Sequence, residues 1–256
     1  MMAGMDRLLV KNENGWVRLV LNRPQARNAL NTALLADLAE CLTALAADPG
    51  CRAVLLCGAD GNFAAGADIS EIETKGSAEG ALDPRKAHWA AIRAFPKPMV
   101  AAVDGFALGG GLELALMADL LVAGQDARMG LPETNLGLIP GAGGGQRLLA
   151  RLGPARAARL VLTGEIIDAA TAFAWGLASH LAEGSAVDQA AVLAARLSDR
   201  APLALQAAKR ALVLGAEAGL AFGLERGGFE ALLDSADKAE GIRAFREKRK
   251  PDYQGR

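Results

Sequence analysis

Several features that mark common protein classes are scarce in this sequence. Two histidines, His88 and His180, stand far apart and lack ligand spacing, so no metal centre is expected and both read as structural or solvated. The three cysteines, Cys41, Cys51 and Cys57, are odd in number and form no C-x-x-C pair. That argues against a disulfide framework and for buried thiols in a reducing compartment. Basic excess is missing too: 28 Lys and Arg against 29 Asp and Glu leave a formal charge of −1. No general nucleic-acid footprint follows from such a balance, although a small polyanion needs only a few local cations. The N-terminal residues hold no signal-peptide h-region. The longest apolar run, residues 99–122, is broken by Asp104, Glu113 and Asp119, which speaks against a membrane span. Aromatic residues make up 4% of the chain, and Trp16, Trp89 and Trp175 read as core rather than ligand platforms. The expectation is a soluble cytoplasmic protein.

What is abundant is apolar residues, 52% of the chain, enough to bury a substantial core. Residues 16–21 and 53–57 are short, almost unbroken apolar runs and read as buried strands. Between them Leu30, Leu34, Leu38, Leu42 and Leu45 recur at helical spacing. That helix starts near Asn31 and stops by Asp48-Pro49-Gly50. A glycine-rich loop at 61–68, a polar stretch at 70–86 and a helix at 86–94 form a second round. A strand at 98–103, a helix at 109–118, a strand at 120–123 and a short strand near 127–130 follow. This alternation predicts α/β layers. Beyond residue 143 the pattern reads as almost wholly helical. Pro154 opens a helix closed at Gly164, Asp168 caps another closed by Gly176, and 202–214, 220–233 and 238–248 supply more. The expected organisation is an α/β core over 1–195 and a C-terminal helical region over 196–256 that packs against other subunits.

Three segments carry candidate chemistry. In Phe63-Ala64-Ala65-Gly66-Ala67-Asp68-Ile69, small side chains let a ligand reach the backbone; taken alone, the segment reads first as a tight turn between core elements. Next, Gly109-Gly110-Gly111 directly precedes an apolar helix containing Glu113. Free N–H groups at such a start suit an anion or a developing oxyanion. Glu113 sits amid Leu112, Leu114, Ala115 and Leu116 and is either a desolvated functional carboxylate or a simple complement to the helix dipole. In the third segment, residues 131–147, Glu133 stands among apolar and glycine-rich neighbours and is either functional or a solvated loop carboxylate. Dinucleotide, P-loop, nucleophile-elbow and zincin motifs are all missing. Together the three segments hold two amide-exposing loops and two carboxylates, the parts needed to polarise a carbonyl and move protons beside it.

The ordered series NRPQARNALN, FAAGADI, GFALGGGLELALMADL and PETNLGLIPGAGGGQRL resembles the enoyl-CoA hydratase/isomerase (crotonase) superfamily, over nearly the whole chain from Leu21. The resemblance implies a spiral of ββα turns with a C-terminal helical extension, assembled as homotrimers or dimers of trimers. It implies that the Ala67 and Gly110 N–H groups form an oxyanion hole for an acyl-CoA thioester and that Glu113 and Glu133 are the acid/base pair. Ala26, Arg27, Ala65, Asp68, Ile69 and Ser70 match loops that meet substrate and CoA. The implied reaction is addition of water to a trans-2-enoyl-CoA through an enolate. Glu113 and Glu133 hold and deprotonate the water, and Glu133 returns a proton to the α-carbon. Neither metal nor cofactor is implied, since CoA is part of the substrate. Leu112 replaces a common cysteine and Gly145 a common threonine; these departures are expected to alter packing rather than chemistry. PLALQAAKRAL and GIRAFREKRKPDYQGR are especially similar to hydratases of 2,3-dehydroadipyl-CoA. The alternatives are an isomerase of the same fold, which needs only one carboxylate, and, more distantly, an RNA-binding member. The basic tail Arg243, Arg246, Lys248, Arg249 and Lys250 reads as a solvated helix face or a contact for CoA phosphates.

Overall fold

A computed structural model describes residues 6–73, 77–214 and 236–256. Six strands form the main sheet: β1 (Leu8–Asn12), β2 (Trp16–Leu21), β3 (Ala53–Gly58), β4 (Met99–Val103), β6 (Leu120–Ala123) and β9 (His180–Leu181), side by side in that order. Only β1 runs antiparallel to its neighbour; the others pair in parallel. A second sheet joins β5 (Phe106–Leu108), β7 (Arg128–Gly130) and β8 (Ile166–Asp168). The helices are α1 (Thr32–Ala47), α2 (Ser77–Ala81), α3 (Arg85–Arg93), α4 (Gly110–Ala115), α5 (Gly144–Thr163), α6 (Ala169–Trp175), α7 (Ala186–Ser198), α8 (Pro202–Leu214) and α9 (Ala236–Glu247). Successive rounds therefore run main-sheet strand, second-sheet strand, helix: β4–β5–α4, then β6–β7–α5. In the round before them, Ala64 pairs with Ala107 as an isolated bridge where a second-sheet strand would lie.

The unbroken apolar strands are explained by burial on both faces. Along β3, Val54 and Leu56 enter one core, whereas Ala53, Leu55 and Cys57 enter another; Met99, Ala101 and Val103 of β4 divide from Val100 and Ala102 in the same way. This is the two-residue alternation of a strand, with both faces covered. The first core contains the Leu34, Leu35, Leu38 and Leu42 stripe of α1. The second is closed by α7, whose Ala186, Ala190 and Ala194 fall on one face. The expected boundary between residues 195 and 196 falls inside this helix. All three cysteines are buried and unpaired, and desolvation pushes each thiol up to about 11.

Local boundaries follow capping chemistry. Asn31 caps α1 by accepting the Leu34 N–H at 2.9 Å. At the other end Lys97 Nζ donates to the carbonyls of Leu45 (2.7 Å) and Asp48 (2.6 Å). Leu30, expected in the helical stripe, instead precedes the helix and forms a bridge with Ala67. The helix expected at 109–118 stops at Ala115. Arg151 closes that end by donating to the carbonyls of Leu116 and Ala118, each at 3.0 Å. Pro154 does begin a helical segment, because Gly153 breaks α5 with φ 75° and ψ 172°. The reading of residues beyond 143 as nearly all helical is corrected by β8 and β9, whose partners β7 and β6 supply the pairing. The expected helix at 220–233 lies outside the described residues. Arg243 and Arg249 pair with Glu240 of α9, and Lys250 with Asp199. Among the described residues no helix is long and apolar enough to cross a membrane.

Asn28, fully buried at φ 57°, fastens the loop after β2 to the loop after β3. Its Nδ2 donates to the carbonyls of Ala59 (2.9 Å) and Asn62 (2.6 Å), and its Oδ1 accepts the Arg23 N–H at 2.9 Å. Asn28→Ala strands buried polar groups, so we expect a loss of about 2–3 kcal/mol in denaturant unfolding.

Candidate active site

The start of α4 is wedged against the 63–67 segment. A Cβ at Gly111 would stand 2.2 Å from the Ala64 carbonyl oxygen, so only glycine allows this approach. The contact sets Gly110 beside Ala67, where a Cβ at Gly110 would lie 3.5 Å from the Ala67 nitrogen. In the Leu30–Ala67 bridge, Leu30 donates to Gly66 O (2.8 Å) and accepts from Asp68 N–H (3.0 Å). A parallel bridge of this kind uses the groups flanking Ala67 and turns its own N–H the other way. The Gly110 N–H belongs to the first turn of α4 and has no helical partner. Neither N–H has a protein acceptor among the described residues.

Glu113 projects from α4 and is 3% exposed. Its Oε1 accepts two backbone N–H groups, from Ala142 at 2.7 Å and Gly144 at 2.8 Å. Oε2 has no protein partner among the described residues. Glu133 reaches the same place from a 3-10 turn spanning Pro132–Leu136. The chain between the two glutamates runs out through β6 and back through β7, and β7 returns beside β5, which leads into α4. Gly109 N–H donates to Gly130 O at 2.9 Å, and a Cβ at Gly109 would stand 3.1 Å from Glu133 Oε1. The φ of 49° and ψ of −127° at Gly109 independently require glycine. Glu133 Oε2 is buried without a hydrogen-bond partner among the described residues. Burial raises the Glu133 pKa above its usual 4.5; a backbone hydrogen bond opposes this and the nearby Glu113 charge adds to it. One carboxylate is thus held through one oxygen by two amides, while burial shifts the other's pKa upward.

The remaining predicted residues lie on the two neighbouring loops at 26–27 and 65–70. Asp68 accepts from Arg23 Nη2 at 2.9 Å and from Ser70 Oγ at 2.7 Å. The hydrogen bond from Ser70, with that of Arg23, holds its pKa below the ordinary carboxylate value. Ile69 is 59% exposed, an apolar side chain open to a ligand. Ala65 donates its N–H to Arg27 O at 3.0 Å, joining the 26–27 and 65–70 loops. Arg27, exposed at φ 46°, lies over the Phe106 ring at 5.5 Å, with Ala26 half-buried beside it. An open recess of about 500 Å³ lined by Leu181, Glu183, Ser185 and Asp188 includes none of these residues. Among the described residues no cluster of three His, Cys, Asp or Glu side chains could hold a metal ion.

Comparison with known proteins shows the family. The family model for enoyl-CoA hydratase/isomerase matches residues 11–256. The chain belongs to the enoyl-CoA hydratase/isomerase family. It is 46% identical over 255 residues to the 2,3-dehydroadipyl-CoA hydratase of Escherichia coli (strain K12), covering 98% of this chain and 100% of that protein. It is 42% identical over 260 residues to the human mitochondrial enoyl-CoA hydratase domain-containing protein 2, covering 98% and 89%. The crystal structure of an enoyl-CoA hydratase from Bacillus anthracis superposes with a TM-score of 0.92 at 34% identity, covering 98% and 100%. The crotonase-like α/β fold is therefore the family's fold.

Sequence reasoning on this family member missed Ala142 and Gly144 as the groups that fix Glu113. It also missed Arg23 as the clamp on Asp68. The only signal for the first was the glycine run 143–145, which permits a sharp turn without saying what its amides hold.

Proposed function

We propose that the chain is a hydro-lyase that adds water across the double bond of a trans-2-enoyl-CoA to give a 3-hydroxyacyl-CoA. The observation that carries this reading is the pairing of Glu113 and Glu133 beside the unpartnered N–H groups of Ala67 and Gly110. In the proposed reaction the thioester oxygen accepts both N–H groups. Glu113, with Glu133, holds a water, and Glu113 Oε2 takes its proton as the oxygen bonds to C3. The π electrons move onto the thioester oxygen, giving an enolate held by the two amides. Glu133, whose pKa is raised by burial, delivers a proton to C2 as the carbonyl reforms. Backbone amides supply the polarisation, so the reading assigns no cofactor or metal. Ala26, Arg27, Ala65, Asp68, Ile69 and Ser70 are proposed to line the acyl-CoA path.

The likeness to the dehydroadipyl-CoA hydratase supports a dicarboxylic enoyl-CoA as the preferred substrate. Exposed apolar side chains at Leu136, Leu138, Ile139, Leu162 and Phe173 are consistent with a homotrimer or dimer of trimers. Presented with a panel of short, long and dicarboxylic trans-2-enoyl-CoAs, the protein is expected to hydrate the dicarboxylic member with the highest kcat/KM. An aliphatic chain preferred by tenfold or so would remove the dicarboxylic assignment. A 3-enoyl-CoA converted faster than every 2-enoyl substrate would replace hydration by isomerisation as the main activity.

A further inference from the structure

Glu113 owes its orientation to a three-residue turn, and that turn has a guard of its own. Residues 142 and 144 present their N–H groups to Glu113 Oε1 only because Gly143 between them takes φ 92° and ψ 21°. Arg147, one turn into α5, donates its own N–H to Gly143 O at 3.2 Å and folds its side chain back over the turn. Its Nη1 donates to Ala142 O at 2.9 Å, and a Cβ at Gly143 would stand 2.6 Å from that same nitrogen. The guanidinium therefore holds the carbonyl of the residue whose N–H holds the catalytic candidate.

We infer that Arg147 is a positioning residue for Glu113, acting through the 142–144 turn rather than on the substrate. The inference rests on the hydratase reading for its kinetic consequences, but its structural content does not. The charge is kept in a costly place: burial and the Arg93 charge disfavour it, and the Glu113 carboxylate favours it. Arg151, from the next turn of α5, also feels the Arg147 charge and is engaged with the end of α4. A neutral or apolar residue would be the cheaper filler if packing alone were at stake, and no ion pair with a nearby acid claims the guanidinium among the described residues. The bond to Ala142 O accounts for a charged planar donor at this spot.

The test uses Arg147→Gln, Arg147→Lys, Glu113→Gln and the double variant Glu113→Gln/Arg147→Gln. Arg147→Gln is expected to lower kcat about 10- to 100-fold with KM within about twofold, because loss of sub-ångström placement acts on turnover. Arg147→Lys, which still offers a donor to Ala142 O, recovers part of that loss. Added to Glu113→Gln, Arg147→Gln costs no more than about a further twofold, as expected when one residue acts through the other. Independently, amide hydrogen exchange at Ala142 and Gly144 is expected to accelerate about tenfold or more in Arg147→Gln, with Leu148 unchanged. Unaltered protection at those two amides, or a full second loss in the double variant, would overturn the inference. A wild-type protein without hydratase turnover would sink the functional reading alone, and the exchange measurement would still decide the role of Arg147.

Discussion

Glu133→Gln is expected to fold, bind CoA thioesters and lose hydratase turnover by about a hundred- to ten-thousand-fold, the range for removing a positioned general acid. The change is isosteric, and among the described residues no hydrogen bond rests on Glu133 Oε2. Its stability effect has a definite sign. The folded pKa lies above the ordinary 4.5 because burial opposes the charge, so the folded state binds the proton more tightly than the unfolded chain. Wild-type stability from this group is fully present below 4.5 and is lost as pH rises through the folded value. Glu133→Gln removes that loss, so the variant gains on wild type as pH rises above 4.5. Thermal unfolding of the pair across pH checks this. A variant that keeps full turnover would remove Glu133 from the chemistry.

Gly110→Pro probes the other half of the site: it replaces an N–H by the ring Cδ while adding no acid or base. Gly110 is the first helical residue of α4, where proline is tolerated and where no helical bond is lost. Removal of one oxyanion donor is expected to lower kcat about 10²- to 10³-fold. Thermal stability should change by much less than the activity. Stopped-flow measurement with a trans-2-enoyl-CoA, alongside calorimetry on the same samples, separates the two effects. Near-wild-type kcat in a folded variant would show that the Gly110 amide does not stabilise the enolate.

The two effects differ in how visible their residues were before folding. Strands β3 and β4 are legible because both faces are buried, which forces unbroken apolar runs, and β2 is interrupted only by Arg18. Helix α1 is legible because Asn31 and the leucine spacing agree. By contrast α7 uses alanines where it faces the sheet, so its period carries little hydrophobic contrast. The three- and two-residue strands β8 and β9 exist only through their partners. Leu30 shows the limit of periodicity: its spacing fits the α1 stripe, yet its backbone pairs with Ala67 and helps aim that amide. The proximity of Glu113 and Glu133 follows from β7 returning beside β5, a pairing that no local pattern encodes. Motif order supplied that pair through family resemblance. The grip of Ala142 and Gly144 on Glu113 shows in residue type only as the glycine run that permits the turn, since backbone amides themselves leave no mark on a sequence.

Mixing the protein with a trans-2-enoyl-CoA in heavy-oxygen water tests most directly whether this site adds water to a conjugated thioester. The prediction is loss of the enoyl-thioester absorbance together with a 3-hydroxyacyl-CoA carrying the heavy oxygen on C3. Persistence of the conjugated absorbance, or a product without that oxygen, would contradict it.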